Sequence, residues 1–323
     1  MTLIPTMLNS SDHSLVKSPI TGGKDVILIR KVDCATLKLG YERMFNLDIS
    51  RLVAGRREIS LYKCNESGYH FYHPEDIVGD SAFYHDLEAN DWYYMEAKWE
   101  FDEALKFIQK KAAVLEIGSA KGDFLNKVGQ SIPGVSCVGL ELNQEAAGIA
   151  QNRNLNVIIE PTSQHARTHP SSYDVIVSFQ MLEHVPNPMD ILRDALIMLK
   201  SDGLLIISVP DNSLRSSDSI FVRSDNLLNM PPHHQGLWDI PSLAYLQNLL
   251  PIKLEHIAIE PATARHHSNS YRGLMKTDLI SRFGNIFGFV IYLIGRPFYN
   301  HALHHLDQYL PAHSVFAVFR KID

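Results

Sequence analysis

Between residues 112 and 210 short, uniformly apolar runs alternate with stretches whose apolar positions recur at helical spacing. The runs are AAVLEIG (112–118), SCVGLEL (136–142), NVIIE (156–160), YDVIVSF (173–179) and GLLIISVP (203–210). GDFLNKVGQ (122–130), NQEAAGIAQN (143–152) and PMDILRDALIMLK (188–200) lie between them. Runs of this length without polar alternation predict strands buried on both faces of a parallel sheet, with the helical stretches as crossovers. KLEHIAIEP (253–261) and HSVFAVFRKI (313–322) read as two final strands, which makes seven in a doubly wound, Rossmann-like α/β sheet.

Before residue 96 the pattern differs. Val26–Val32 and Glu58–Tyr72 are rich in β-branched and aromatic residues and predict strands of a small, mostly-β N-terminal domain over 1–95. Trp99, Phe101, Leu105 and Ile108 predict a helix over Lys98–Lys111 that opens the α/β domain of 96–323. Asp239 or Pro241 starts a later helix. About 262–312 form an insertion between the last two strands.

The 323 residues carry a net charge of −6, with 45% apolar and 20% charged positions, which suits a folded chain with a sizeable core. Mild acidity argues against a nucleic-acid binder. Cys34, Cys64 and Cys137 form no C-x-x-C pair, and an odd count favours a reducing compartment. With no basic n-region, no long apolar leader and no apolar run near 20 residues, the expectation is a soluble, cytoplasmic protein without a transmembrane segment.

The loop after the first strand of the large sheet is where such folds bind ligands. It reads Glu116-Ile117-Gly118-Ser119-Ala120-Lys121-Gly122. It is neither G-x-G-x-x-G nor a P-loop, and an acid on the strand suits a cationic ligand better than a pyrophosphate. Gly118 and Gly122 allow the backbone to turn and approach a ligand closely. Glu141 ends the second strand, where an acid can accept from two ribose hydroxyls.

Taken together, VLEIGSAKGDFL, VGLELN, YDVIVSFQMLEHVPNP and LKSDGLLIISVPD resemble the successive motifs of class I S-adenosylmethionine-dependent methyltransferases over about residues 95–261. The resemblance implies S-adenosylmethionine as cofactor. It places Gly118 against the methionine portion, Glu116 near its amino group and Glu141 on the ribose. Ser119, Gly122, Leu142 and Gln180 complete the cofactor site, and Tyr94 or its neighbour Tyr93 closes over the methionine end.

The stretch Gln180–Pro186 (QMLEHVP) follows the fourth strand of that sheet, and PPHHQGLW (231–238) leads to the next helix. Both resemble a bacterial methyltransferase branch associated with glycans and secondary metabolites. Methyl transfer from a sulfonium needs alignment and removal of the acceptor proton, for which a near-neutral histidine is the natural base. His184, His233 and His234 are the candidates, with His233 or His234 favoured on a loop able to close over the acceptor. Supporting a helix or holding a loop in place is the competing reading for all three. Glu183 and His184 with one of the loop histidines would also make an N/O metal site. Small-RNA 2′-O-methyltransferases carry a further glutamate where this chain has Gln180, and the expectation is therefore no metal.

Many related enzymes begin with a zinc ribbon. Here Ser18, Thr21 and Ser67 stand at three ligand positions and only Cys64 keeps its thiol, so a degenerate, metal-free ribbon is expected. The insertion reads as an oligomer or domain interface in preference to a helix lying on a membrane surface, and a homo-oligomer is one partner it allows. The expected activity is O-methylation of a small-molecule or saccharide acceptor. A catalytically silent cofactor-binding partner or scaffold, or a C- or N-methyltransferase, are the alternatives.

Overall fold

The computed structural model describes residues 16–88, 98–212, 227–261, 279, 283–306 and 311–322. Two sheets organise them. The larger has the order β10-β11-β8-β7-β4-β5-β6. Its strands are β4 (Ala113–Ile117), β5 (Ser136–Leu140), β6 (Val157–Ile158), β7 (Tyr173–Phe179), β8 (Leu199–Pro210), β10 (Ile252–Pro261) and β11 (Pro311–Lys321). β6, β5, β4, β7 and β8 are parallel neighbours, and β11 runs antiparallel between β8 and β10. All seven runs expected from the apolar pattern are strands of this one sheet. The cause is burial on both faces: Val114, Leu115, Ile176, Val177, Ile206 and Ile207 are essentially inaccessible to water.

Between the strands lie α3 (Trp99–Leu105), α4 (Asp123–Ser131), α5 (Gln144–Asn152), α6 (Thr162–Thr168) and α7 (Pro188–Met198). Asn143 caps α5 through the backbone N–H groups of Glu145 and Ala146. Asp239 opens α8 (Ile240–Tyr245) with a reciprocal capping box to Ser242. α3 is shorter than expected: after Leu105 the chain tightens to i→i−3 bonds, Phe107 to Ala104 and Ile108 to Leu105. Ile108 nonetheless stays buried. α6 has no apolar period to announce it.

The smaller sheet has the order β1-β2-β3-β9, with β1 (Val26–Asp33), β2 (Glu58–Cys64), β3 (His70–His73) and β9 (Gly236–Leu237). The stretch read as strand over Glu58–Tyr72 is a hairpin folded at Asn65–Tyr69. Two helices, α1 (Cys34–Phe45) and α2 (Ser81–Glu88), accompany it. β9 comes from the region after β8, so chain on both sides of residue 96 builds this sheet. One apolar cluster runs from Val16, Tyr62 and Tyr69 through Trp238 into Leu115, Ile207 and Val315.

Where a degenerate ribbon was expected, hydroxyls of Ser67, Ser18 and Thr21 all reach Cys64. Burial works to raise the thiol's pKa, but these hydrogen bonds outweigh it and lower the pKa. Tyr69 packs on Trp238 with ring centres 4.4 Å apart. Within the insertion, α9 (Asn285–Leu306) turns Phe287, Ile294 and Phe298 outward. No helix among the described residues is long and apolar enough to cross a membrane.

Candidate active site

The loop after β4 bends because Gly118 and Gly122 both adopt φ of 78°. A Cβ on Gly118 would lie 2.9 Å from Cγ of Met181, so the loops after β4 and β7 touch at a glycine. Gly118 and Ser119 donate their backbone N–H groups to Leu140 O at 2.9 and 3.0 Å, which ties the loop to β5. Gly122 ends the bend as the left-handed N-cap of α4.

Two acids flank the bend. Glu116 is buried on β4, with Oε2 lacking a hydrogen-bond partner, and the Oγ of Ser119 is likewise unsatisfied. Burial drives the Glu116 pKa well up; Lys98 opposes that shift, and Glu141 and Asp123 reinforce it. Glu141, just beyond β5, accepts from Ala120 N at 2.8 Å and Asn143 N at 2.7 Å. Leu142 beside it is exposed. The Gln180 side chain donates to Ser208 Oγ at 3.0 Å and Ser314 Oγ at 3.3 Å, binding the tip of β7 to β8 and β11. Tyr94 and Tyr93 lie outside the described residues.

On the other side of Met181, a single 3₁₀ turn spans Leu182–His184. His184 meets His233 and His234 with ring centres 4.6 and 4.8 Å apart, and the latter two stack at 4.4 Å. The two loop histidines do not sit on an open flap. Each is about 5% exposed, and their segment is held by the N-terminal region. Tyr41 donates its hydroxyl to Leu227 O at 2.8 Å and lies 3.1 Å from Met230 O, while Gln235 Nε2 donates to Ile77 O at 2.6 Å. From the other side, Gln235 N donates to Glu183 O at 2.7 Å.

Each histidine places Nδ1 on an oxygen. His184 Nδ1 lies 2.8 Å from His233 O, His233 Nδ1 2.8 Å from Leu228 O, and His234 Nδ1 3.2 Å from Asn229 Oδ1. Asn229 donates its own amide to Asn212 Oδ1, which leaves Oδ1 as the acceptor for His234. A carbonyl or amide oxygen only accepts, so each of these contacts favours a proton on Nδ1 and a lone pair on Nε2, while His184 also has the Gln180 backbone as a second hydrogen-bond partner. Tyr84 adds its hydroxyl 3.2 Å from His184 Nδ1.

Burial keeps His184 and His233 neutral. Burial depresses His184 to about 4 and moves His233 well below its ordinary value. Burial also pushes Glu183 up to about 8, and its Oε2 has no hydrogen-bond partner. Glu183 Oε1 lies 3.8 Å from His184 Nε2, and at neutral pH that contact joins two largely uncharged groups. Sequence reasoning did not single out Tyr41, Tyr84 or Lys98. Their contacts cross as many as 189 residues of chain, and no local pattern carries them.

A methyltransferase domain model matches residues 92–258, more than half of the chain. The chain belongs to this methyltransferase family. Its curated relatives include ubiquinone biosynthesis O-methyltransferases. That of Azoarcus sp. (strain BH72) is 32% identical and that of Aliivibrio fischeri (strain MJ11) 28% identical. Each match covers 125 residues, 37% of this chain and 53% of the relative, so the chain spans about half the length of the curated relatives it matches. Among solved structures, coclaurine N-methyltransferase aligns with a TM-score of 0.46 at 16% identity, covering 69% of this chain and 72% of that one. A SAM-dependent methyltransferase from Archaeoglobus fulgidus gives 0.45 at 14%, covering 69% and 91%. Overlap that low adds nothing to the assignment, which rests on the family model and the strand order.

S-adenosylmethionine is the methyltransferase's cofactor. The residues at the β4 loop fit it on physical grounds. A glycine keeps the bend clear, and the orphaned oxygens of Glu116 and Ser119 are buried acceptors of the kind an ammonium or sulfonium ligand would satisfy.

Proposed function

We propose that this methyltransferase methylates an oxygen of a small molecule or saccharide precursor, with the histidine cluster at the acceptor. The observation that supports the reading is the close approach of Met181 to Gly118, which brings the turn carrying Glu183 and His184 up to the cofactor loop. The names of the curated relatives support oxygen as the atom methylated.

In this reading Gly118, Ser119 and Gly122 shape the cradle, Glu116 faces the amino end, and Glu141 takes the ribose hydroxyls. Bound there, S-adenosylmethionine supplies an electrophilic methyl with a neutral thioether as leaving group. The chain's task is to hold the acceptor in line and take its proton. His184, neutral above about pH 4 and with Nδ1 on the His233 carbonyl, is the residue proposed to accept it. Leu142 and Gln180 frame the site, Gln180 by holding the strand tips.

The test is transfer of radiolabelled methyl from S-adenosylmethionine to a panel of phenols, catechols and sugars. The expected result is label on a hydroxyl-bearing acceptor, at least tenfold reduced in His184→Ala with cofactor binding kept. Binding without transfer to any acceptor would favour a silent partner protein, and label on carbon or nitrogen would refute the oxygen assignment.

For α9 we favour a second copy of the chain over a membrane surface. Arg296 is the one Lys or Arg in Asn285–Leu306, and surface-bound helices are rich in both. Light scattering on a sizing column, set beside liposome flotation, separates the two.

A further inference from the structure

One nitrogen of each of His184, His233 and His234 lies within 4.8 Å of the others. We propose that these three histidines bind a divalent transition-metal ion of the zinc class, with Glu183 beside the remaining coordination position. Whether the ion binds is independent of the proposed function; only what it does there rests on that reading.

Three observations carry the site. The first is orientation. All three rings put Nδ1 against an oxygen that can only accept, His233 O, Leu228 O and Asn229 Oδ1. That outer contact selects the tautomer whose Nε2 donates an electron pair, as it does for metal-bound histidines in general. The second is the donor set. Three imidazoles with a carboxyl nearby suit zinc, cobalt or nickel and not magnesium or calcium, which want oxygen. Three protein ligands and one open position is also the pattern of catalytic rather than structural zinc.

The third is an unsatisfied acid. Glu183 is 1% exposed, its Oε1 is 3.8 Å from His184 Nε2, and its Oε2 has no hydrogen-bond partner. An orphaned buried oxygen costs about 1–3 kcal/mol, and a metal-bound water or hydroxyl at the open position would give it a donor.

The distances require modest closure. Tetrahedral zinc with nitrogens at about 2.0–2.1 Å sets them roughly 3.3 Å apart, so the nitrogen separations must shrink by up to about 1.5 Å. Ring rotation about fixed Nδ1 contacts supplies movement of that size.

Under the proposed function the acceptor hydroxyl occupies the fourth position, where the ion lowers its pKa. With His184 Nε2 committed to the ion, the proton passes to water, and in the metal-loaded protein the ion takes over the activating role that His184 would have as a base. The oxygen then bonds to the methyl carbon as the sulfur–carbon bond breaks, the sulfonium becoming a neutral thioether. No electron is gained or lost.

The experiment uses the full chain, dialysed against EDTA and checked for folding by circular dichroism. Calorimetric titration with Zn²⁺ should give one ion per chain at micromolar Kd or tighter, and Co²⁺ should develop the intense visible bands of a tetrahedral nitrogen site. Mg²⁺ should give no heat. His234→Gln should weaken Zn²⁺ at least a hundredfold while S-adenosylhomocysteine affinity stays within twofold.

Zinc-edge X-ray absorption of the unmutated protein decides the matter even where that variant fails to fold. Multiple scattering from three imidazoles supports the site. A sulfur shell, an all-oxygen shell, or no stoichiometric uptake overturns it. Metal uptake without methyl transfer would uphold the site and sink the O-methylation reading, whereas transfer indifferent to EDTA with no uptake does the reverse.

Discussion

The carboxylate of Glu141 accepts the backbone N–H of Ala120 at 2.8 Å, joining the tip of β5 to the glycine loop that follows β4. The same side chain takes Asn143 N at 2.7 Å, at the cap of α5. One acid thus shapes the loop that the cofactor is proposed to touch.

Glu141→Ala should therefore lose affinity and some stability together. Charge-assisted bonds to backbone N–H are worth about 1.5–3 kcal/mol each at best. Partial exposure of the side chain argues for the low end. The expected result is a rise of at least tenfold in the Kd for S-adenosylmethionine, with a melting temperature lowered by a few degrees. Calorimetry and thermal denaturation check both. Unchanged affinity would remove Glu141 from the site.

Glu183 makes stability depend on pH in an unusual direction. In the unfolded chain it ionises near 4.5, whereas burial holds the folded group protonated up to about 8. A raised carboxyl pKa means its contribution is fully present below pH 4.5 and is lost as the pH climbs to about 8. His184, depressed from 6.5 to about 4, acts in the opposite sense: stability is lost as the pH falls through that interval. In metal-free buffer, Glu183→Gln should raise the melting temperature by several degrees at pH 8 and change it little at pH 5. Equal shifts at both pH values would contradict the assignment.

Tyr41 tests whether the N-terminal region holds the histidine segment in place. Its hydroxyl meets Leu227 O and Met230 O inside the protein. Tyr41→Phe leaves those buried carbonyls without that donor, at a cost of about 1–3 kcal/mol. Turnover should fall several-fold while S-adenosylhomocysteine binding stays within twofold, because the carbonyls that Tyr41 holds, Leu227 O and Met230 O, are not part of the β4 loop. Steady-state kinetics beside calorimetry separates the two effects; a parallel loss of both would point to general unfolding.

Much of the large sheet was legible in the sequence because strands such as AVLEI and YDVIVSF are buried on both faces and must be apolar throughout. The loop glycines and Glu141 were legible for a similar reason: a sharp bend and a strand-tip acid are local features. α6 was not, since Thr162–Thr168 is held by contacts such as Thr162 to Asp194 and His165 to Tyr173 and not by an apolar stripe. The three histidines were recognisable as candidates, but their burial was not. His184 and His233 are 49 residues apart, and what encloses them is Tyr41, Ile77 and Tyr84 from the N-terminal region. The expectation of a loop closing over the acceptor came from chain position alone, and the packed segment replaces it.

The most direct test is calorimetric titration of the folded 323-residue chain with S-adenosylmethionine and with S-adenosylhomocysteine. The expected result is one site per chain, micromolar affinity for both, and loss of binding when a Cβ is added at Gly118, where it would press on Met181. No heat with either nucleoside, or affinity indifferent to Gly118→Ala and Glu141→Ala alike, would contradict it.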